Sequence, residues 1–152
     1  MKSIFKIVHV IALSVFLGTI ISYVLIGILS GENNFSFSRD VVLTGTQYLT
    51  IPALWIVGFS GIMLSKKSFQ GWKKAKIFGF LLIMFNTHFV ILPAIKDSIE
   101  SLNLGDLIAL DNALFVEAIA GSINLLLIVL TIIVAVTKWG HSKEKLPLPI
   151  SE

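Results

Sequence analysis

Residues 4–29 read IFKIVHVIALSVFLGTIISYVLIGIL, and this stretch decides the fold of the chain. About 20 apolar residues cross the roughly 30 Å hydrocarbon core of a bilayer, and a helix is the only single segment that bonds its backbone amides internally. The stretch therefore predicts a transmembrane helix. Its apolar run is too long for a cleaved signal peptide, and no small-x-small cleavage site follows it before Gly31.

The composition of the whole chain indicates the same environment. Of its 152 residues, 55% are hydrophobic and 14% are charged, and the mean hydropathy is +0.90, whereas soluble domains carry about 25% charged residues. The chain has no cysteine, which excludes disulfides, thiolate metal sites, iron–sulfur clusters and covalent c-type haem attachment. We therefore predict an integral membrane protein.

Three further apolar stretches follow the first. We predict an all-α fold, an antiparallel four-helix bundle in the membrane, with helices at about residues 4–29, 41–64, 77–95 and 112–137. These form one domain of residues 1–145, with no internal repeat. Residues 146–152 contain prolines and no periodic apolar face, so they are predicted to form a disordered cytoplasmic tail.

The distribution of lysine predicts the orientation of the helices. Lysines at the N-terminus, five lysines between residues 66 and 76, and the basic tail lie on one side of the predicted membrane. The loops 31–40 and 96–111 together carry only Arg39 and Lys96 as basic residues. The positive-inside rule then places both termini in the cytoplasm. Because the basic residues lie at membrane edges, the pI near 9.3 does not indicate nucleic acid.

The first helix presents two different faces. At 100° per residue, Ser14, Gly18 and Ser22 form one stripe of small residues. Small residues allow the close backbone approach that drives helix association in lipid, so this stripe predicts a homo-oligomer. The nearly opposite stripe is the candidate for chemistry, and it consists of His9, Phe16, Ile20, Tyr23 and Gly27.

Two polar residues at membrane depth lie on the last two helices. His88 and Glu117 are predicted within about one turn of the same depth, so that they could pair. A carboxylate bonded to one ring nitrogen would leave the other nitrogen for a metal or a substrate. The alternatives are a Glu117 side chain that reaches the interface and a structural interhelical bond of His88.

The second helix contributes Gln47, Tyr48 and Thr50 to the same half of the membrane, which predicts one polar pocket in the outer leaflet. Pro52 predicts a kink that leaves the Tyr48 carbonyl free. His9 lies near the inner boundary, about 13 Å in depth from His88, so the two are not expected to ligate one iron from both sides.

Short motifs resemble a known family. The sequence Lys6-Ile-Val-His9 followed by Phe16 and Gly18 is similar to the first helix of small bacterial four-helix membrane proteins. These are the predicted integral membrane family DUF2269, with the copper-resistance D and HemJ-type proteins as more distant relatives. Thr50-x-Pro52 and Val136-Thr137-Lys138 also resemble DUF2269.

The resemblance implies a compact bundle in the bacterial cytoplasmic (inner) membrane. For the HemJ-type relatives, which are linked to protoporphyrinogen oxidation, it implies a b-type haem held by the first-helix histidine, here His9. This chain departs from their longer, Arg- and Trp-richer pattern. The copper-resistance D relatives imply metal handling, but Met1, Met63 and Met84 are scattered and lack copper-ligand spacing.

Three functions follow from these observations. The first is a protein that binds haem b for redox or haem handling with a membrane redox partner, with His9 or His88 on the iron. The second is a proton-coupled small transporter or channel, and the third is a non-catalytic membrane subunit. The residues expected to bind the cofactor are His9, His88, Phe16, Gly18, Tyr23, Gln47, Asn86, Glu117 and Asn124.

Overall fold

A computed structural model describes residues 2–30, 34–64 and 71–137, and this part of the chain is entirely helical apart from short links. Each of the four helices is long and apolar enough to cross a membrane, which confirms the prediction of four such helices. The predicted disordered tail and the lysines at 66 and 67 lie outside the described residues. The helices are α1 (Lys2–Leu29), α2 (Phe35–Leu64), α3 (Gly71–Leu104) and α4 (Leu107–Thr137).

Helix α2 begins at Phe35, earlier than the predicted start near residue 41. The polar sequence before residue 41 predicted a loop, but Ser38, Arg39 and Val42 are buried and face the interior of the protein. These positions follow the three- to four-residue spacing of one helix face. A charged residue is tolerated on this face because it is paired, as described below.

The predicted loop 96–111 is largely helical as well. Helix α3 continues to Leu104 because Ala94, Ile95, Ser98 and Ser101 recur on one buried face. The helix ends at Gly105, whose φ of 70° is a left-handed conformation that glycine adopts without strain. The carboxylate of Asp106 then accepts a 3.0 Å hydrogen bond from the Ala109 amide and caps α4.

Helices α2 and α3 each contain a π-helical turn, at Thr46–Thr50 and Thr87–Ile91. Each turn ends two residues before a proline, Pro52 or Pro93. Proline lacks an amide and its ring crowds the carbonyl four residues earlier, so a wider turn relieves the clash. The sequence TQYLTIPAL at 46–54 is similar to THFVILPAI at 87–95, a local similarity that the expectation of no internal repeat overlooked.

Neighbouring helices in the chain run antiparallel. On α1 and α2, His9 lies beside Ser60 and Thr19 beside Thr50. The first half of α2 packs on the last half of α3, and α3 packs along α4. Helices α1 and α4 are not a principal packing pair, so the four helices leave a gap between the first and the last.

The two ends of the protein differ in packing. We name the end at Leu29 and Gly105 the turn end, and the end where α1 begins and α4 finishes the terminal end. The terminal-end half holds the apolar core, and the turn-end half holds a cavity. The core residues are Phe16, Ala53, Leu54, Ile83 and Ile128.

Candidate functional site

A cavity of about 370 Å³ lies in the turn-end half and is bordered by all four helices. Helices α2 and α3 pack together behind it, and α1 and α4 form its two sides. Most of its lining is aliphatic or aromatic. The residues that matter to its chemistry are Phe16, Tyr23, Arg39, Thr46, Thr50, Thr87, Glu117, Gly121 and Asn124.

One buried ion pair lies at this cavity. Arg39 on α2 is only 6% exposed, and its Nη2 and Nη1 donate to the two carboxylate oxygens of Glu117 on α4, at 2.5 and 3.4 Å. Its Nε donates to Ser98 Oγ on α3 at 3.0 Å. The fork of the guanidinium therefore joins three helices. It is the one salt bridge whose two partners both lie in the described part of the chain.

This pair corrects the predicted contact between Glu117 and His88. Glu117 is bound by Arg39, and His88 bonds elsewhere. The polar sequence 31–40 predicts a loop, and a loop position does not predict that Arg39 is buried beside Glu117. A guanidinium matches both oxygens of a carboxylate at once and satisfies a buried charge better than an imidazole does.

A network of amides and hydroxyls joins α3 to α4 beside the cavity. Asn124 is 2% exposed and donates through Nδ2 to Thr87 Oγ1 at 2.8 Å. Asn86 donates to Asn124 Oδ1 at 2.9 Å and to the Ala120 carbonyl at 2.8 Å. Both polar groups of the Asn124 side chain are bonded in this way, so the network helps to fix the register of the two helices.

A second network joins α1 to α2. Thr50 donates to Thr19 Oγ1 at 2.9 Å and lies 3.3 Å from the Tyr23 hydroxyl. That hydroxyl occupies the space where a side chain on Gly45 would begin. Glycine is therefore required at position 45 for Tyr23 to reach its place at the cavity.

Thr46 differs from the other buried threonines of the cavity in its hydrogen bonding. It is 2% exposed and lines the cavity. Across residues 2–30, 34–64 and 71–137, its side chain has no hydrogen-bond partner, although threonines in helices commonly bond the carbonyl one turn earlier. The hydroxyl of Thr46 is therefore available to a molecule in the cavity.

His9 lies near the terminal end, away from this cavity. Its Nδ1 is 2.9 Å from Ser60 Oγ and 3.1 Å from the Val57 carbonyl. Since a carbonyl only accepts, we assign the ring proton to Nδ1, which leaves Nε2 with a free lone pair. Gly61 leaves room for the ring, because a Cβ at that position would lie 3.3 Å from His9 Cε1.

His88 has a different environment. Its Nδ1 is 2.9 Å from the Met84 carbonyl of its own helix, and its ring meets the Trp55 ring edge-on at 6.1 Å. His9 and His88 thus contact α2 at Ser60 and Trp55, about 7 Å apart along the helix and about 140° apart around it. The two histidines do not fit as ligands of one iron.

The predicted single polar pocket is therefore correct only in part. Thr50, Glu117 and Asn124 line the cavity, as do Phe16 and Tyr23. Six of the predicted residues are absent from the cavity lining, and these are His9, Gly18, Gln47, Tyr48, Asn86 and His88. Asn86 lies behind Asn124 as its hydrogen-bond donor.

The described residues contain no group of three or more His, Cys, Asp or Glu side chains that could hold a metal ion. Comparisons of the chain with protein-family models, with curated proteins and with solved structures give no significant match. The resemblance to DUF2269 therefore stays a prediction.

Proposed function

We propose that this protein is a four-helix bundle of the bacterial inner membrane that binds a small molecule in the turn-end cavity. Both termini are placed in the cytoplasm by the lysine distribution, so the cavity lies in the outer half of the bilayer. The observation that carries the proposal is the buried pair of Arg39 and Glu117 at a cavity whose lining is mostly apolar.

The energetics of the pair support a binding role. Apolar residues of similar volume often stabilise a protein as well as a buried ion pair or better, because desolvation of the two charges offsets their attraction. Ionisable residues within membrane spans are functional candidates by default. The cavity volume of about 370 Å³ is within the range of about 300 to 1,000 Å³ that is typical of ligand pockets.

A matched pair of glycine substitutions tests this function. A Cβ at Gly121, in the cavity lining, or at Gly18, on the exposed face of α1, would meet no atom within 4 Å. We expect Gly121→Leu to fill the cavity and Gly18→Leu to leave it open. Native mass spectrometry of protein released from membrane nanodiscs should find a co-purifying small molecule on the wild type and on Gly18→Leu, and not on Gly121→Leu.

Equal occupancy of the wild type and Gly121→Leu would contradict the proposal, provided that both unfold at the same temperature.

The control variant also tests self-association, because Gly18 belongs with Ser14 and Ser22 to the exposed stripe of α1 that is predicted to form a homo-oligomer interface. Gly18→Leu is expected to reduce self-association, and Gly121→Leu is expected to preserve it.

Haem binding at His9 is the second candidate function. The bonds from Nδ1 to Ser60 and Val57 support it, because they orient the ring and leave Nε2 free as an axial ligand. A haem there would supply one-electron chemistry. Protein purified from a haem-replete host should show a Soret band that His9→Ala abolishes and His88→Ala retains. A colourless wild-type protein would exclude this candidate.

A further inference from the structure

We infer that the ligand of the turn-end cavity is a neutral molecule with a carbonyl-bearing head and a single apolar tail. The head lies at Arg39 and Thr46, and the tail leaves between α1 and α4. This inference rests on the proposed function and names the ligand class of that same cavity.

The charge of the cavity favours a neutral head. Arg39 and Glu117 compensate each other through two contacts, so the pair carries no net charge. A third charge in this apolar space would have to remain uncompensated or displace one partner, and both are costly away from water. Anionic and cationic heads are therefore disfavoured.

The hydrogen-bonding groups favour an acceptor on the ligand. A guanidinium has five N–H donors, and three of those on Arg39 are engaged by Ser98 and Glu117. Two N–H groups remain, one on each terminal nitrogen. The Thr46 hydroxyl is a third available donor within the described residues. Arg39 and Thr46 are seven residues apart, two turns along the same face of α2.

A carbonyl oxygen matches this arrangement because it accepts two hydrogen bonds and carries no charge. It would accept hydrogen bonds from the remaining N–H groups of Arg39 and from the Thr46 hydroxyl. A hydrocarbon without a head would leave the Thr46 hydroxyl without a partner in an apolar space, which is unfavourable.

The remaining lining and the mouth of the cavity fit an apolar tail. Ile20, Leu114 and Leu125 contribute to the walls. Lining residues of α1 and α4 that are also exposed mark the opening between these helices, and they are Val24, Gly27, Ile28, Ala118 and Ser122. Both helices are long and apolar enough to span a membrane, so a tail that leaves here enters the bilayer.

Two lipid-phase sources carry this shared chemistry, a glycerol monoester and an alkyl-substituted quinone. Binding to the full-length protein in nanodiscs should be measured with four probes of the same ten-carbon tail: monodecanoylglycerol, a decyl-benzoquinone, decanoate and decylammonium. We expect one or both carbonyl probes to bind at least tenfold more tightly than the two charged probes. The tighter of the carbonyl probes identifies the source.

A substitution of Thr46 tests the position of the head. Thr46→Val keeps the side-chain shape and removes a hydroxyl that has no partner in the described protein. We expect about three- to tenfold weaker binding of the carbonyl probes, the usual effect of one lost hydrogen bond. In the absence of ligand, the variant should be as stable as the wild type. Thr44→Val, at an exposed position of the same helix, should change neither quantity.

The outcomes separate this inference from the proposed function. Tightest binding of decanoate or decylammonium, or equal binding by Thr46→Val and the wild type, would overturn the inferred head. If Gly121→Leu still abolished that binding, the cavity would remain the binding site. Failure of all four probes to bind would overturn the ligand class, while the co-purification experiment with Gly121→Leu decides the proposed function separately.

Discussion

The terminal-end and turn-end halves of this protein use the same helices for opposite purposes. In the terminal-end half, a Cβ on Gly58 would overlap the Phe80 ring, and one on Gly79 would contact Thr131 at 2.5 Å. In the turn-end half, a Cβ on Gly27 or Gly121 would meet no atom within 4 Å. These two pairs of glycines permit close packing in one half and border open space in the other, whereas Gly45 in the turn-end half makes room for the Tyr23 hydroxyl.

The polar groups follow the same division. The core cluster of the terminal-end half is apolar and the bond between His9 and Ser60 lies beyond it, whereas the cavity half contains the ion pair and both the hydroxyl and the amide networks. Close packing without polar groups stabilises a fold. Open space bordered by polar side chains indicates a ligand. The difference between the two halves indicates that the functional site lies near Arg39 and Glu117.

The largest expected effect comes from breaking the ion pair. Arg39→Met leaves the Glu117 carboxylate without its partner, and Glu117→Leu leaves the buried guanidinium of Arg39 alone. Each single change should reduce the free energy of unfolding by about 3 to 5 kcal/mol. The double variant should return close to the wild type, because no uncompensated charge remains. Equilibrium unfolding in bicelles measures all three.

Additive losses in the double variant would show that the pair is not a coupled unit. Arg39 and Glu117 would then contribute to stability separately, and the cavity half would not differ from the apolar half by a coupled pair of charges.

A substitution of glycine by alanine in each half should change stability by a smaller amount. The change should be destabilising in the terminal-end half and stabilising in the turn-end half. Gly58→Ala places a methyl group against the Phe80 ring and should cost about 1 to 3 kcal/mol through overpacking. Gly121→Ala meets open space and should stabilise helix α4 by up to about 1 kcal/mol. Thermal unfolding of the two variants in one detergent compares them, and equal shifts would contradict the difference in packing.

The smallest expected effect concerns the amide network of Asn86 and Asn124. A double-mutant cycle with Asn86→Ala and Asn124→Ala should give a coupling energy of about 0.6 to 2 kcal/mol, the range of interhelical hydrogen bonds in membranes. The measurement is the unfolding free energy of the four proteins. A coupling near zero would mean that the bond at 2.9 Å does not help to hold α3 against α4.

Helical periodicity predicted part of the candidate site. Phe16 and Tyr23 share a face with Gly27 by spacing alone, and the structure places all three at the cavity. Glu117 and Asn124 share the interior face of α4 for the same reason. A face is a property of one helix, so residue spacing is sufficient to define it.

The partners of these residues could not be predicted in the same way. A charged residue beside Asp40 is typical of a loop, whereas the buried position of Arg39 depends on a carboxylate 78 residues away. The free hydroxyl of Thr46 is visible only when every neighbouring helix is in place. A signal was present in the spacing of Ser38, Arg39 and Val42, which lie on one helix face.

The sequence by itself determined four apolar helices, because crossing a bilayer requires length and apolar character, and both can be counted along the chain. The tertiary structure was needed to show that α1 and α4 leave a gap and that Glu117 meets Arg39 rather than His88. The physical reason is that apolar patterns place each helix in lipid, whereas the rotation and neighbours of a helix depend on side-chain packing between segments distant in the chain.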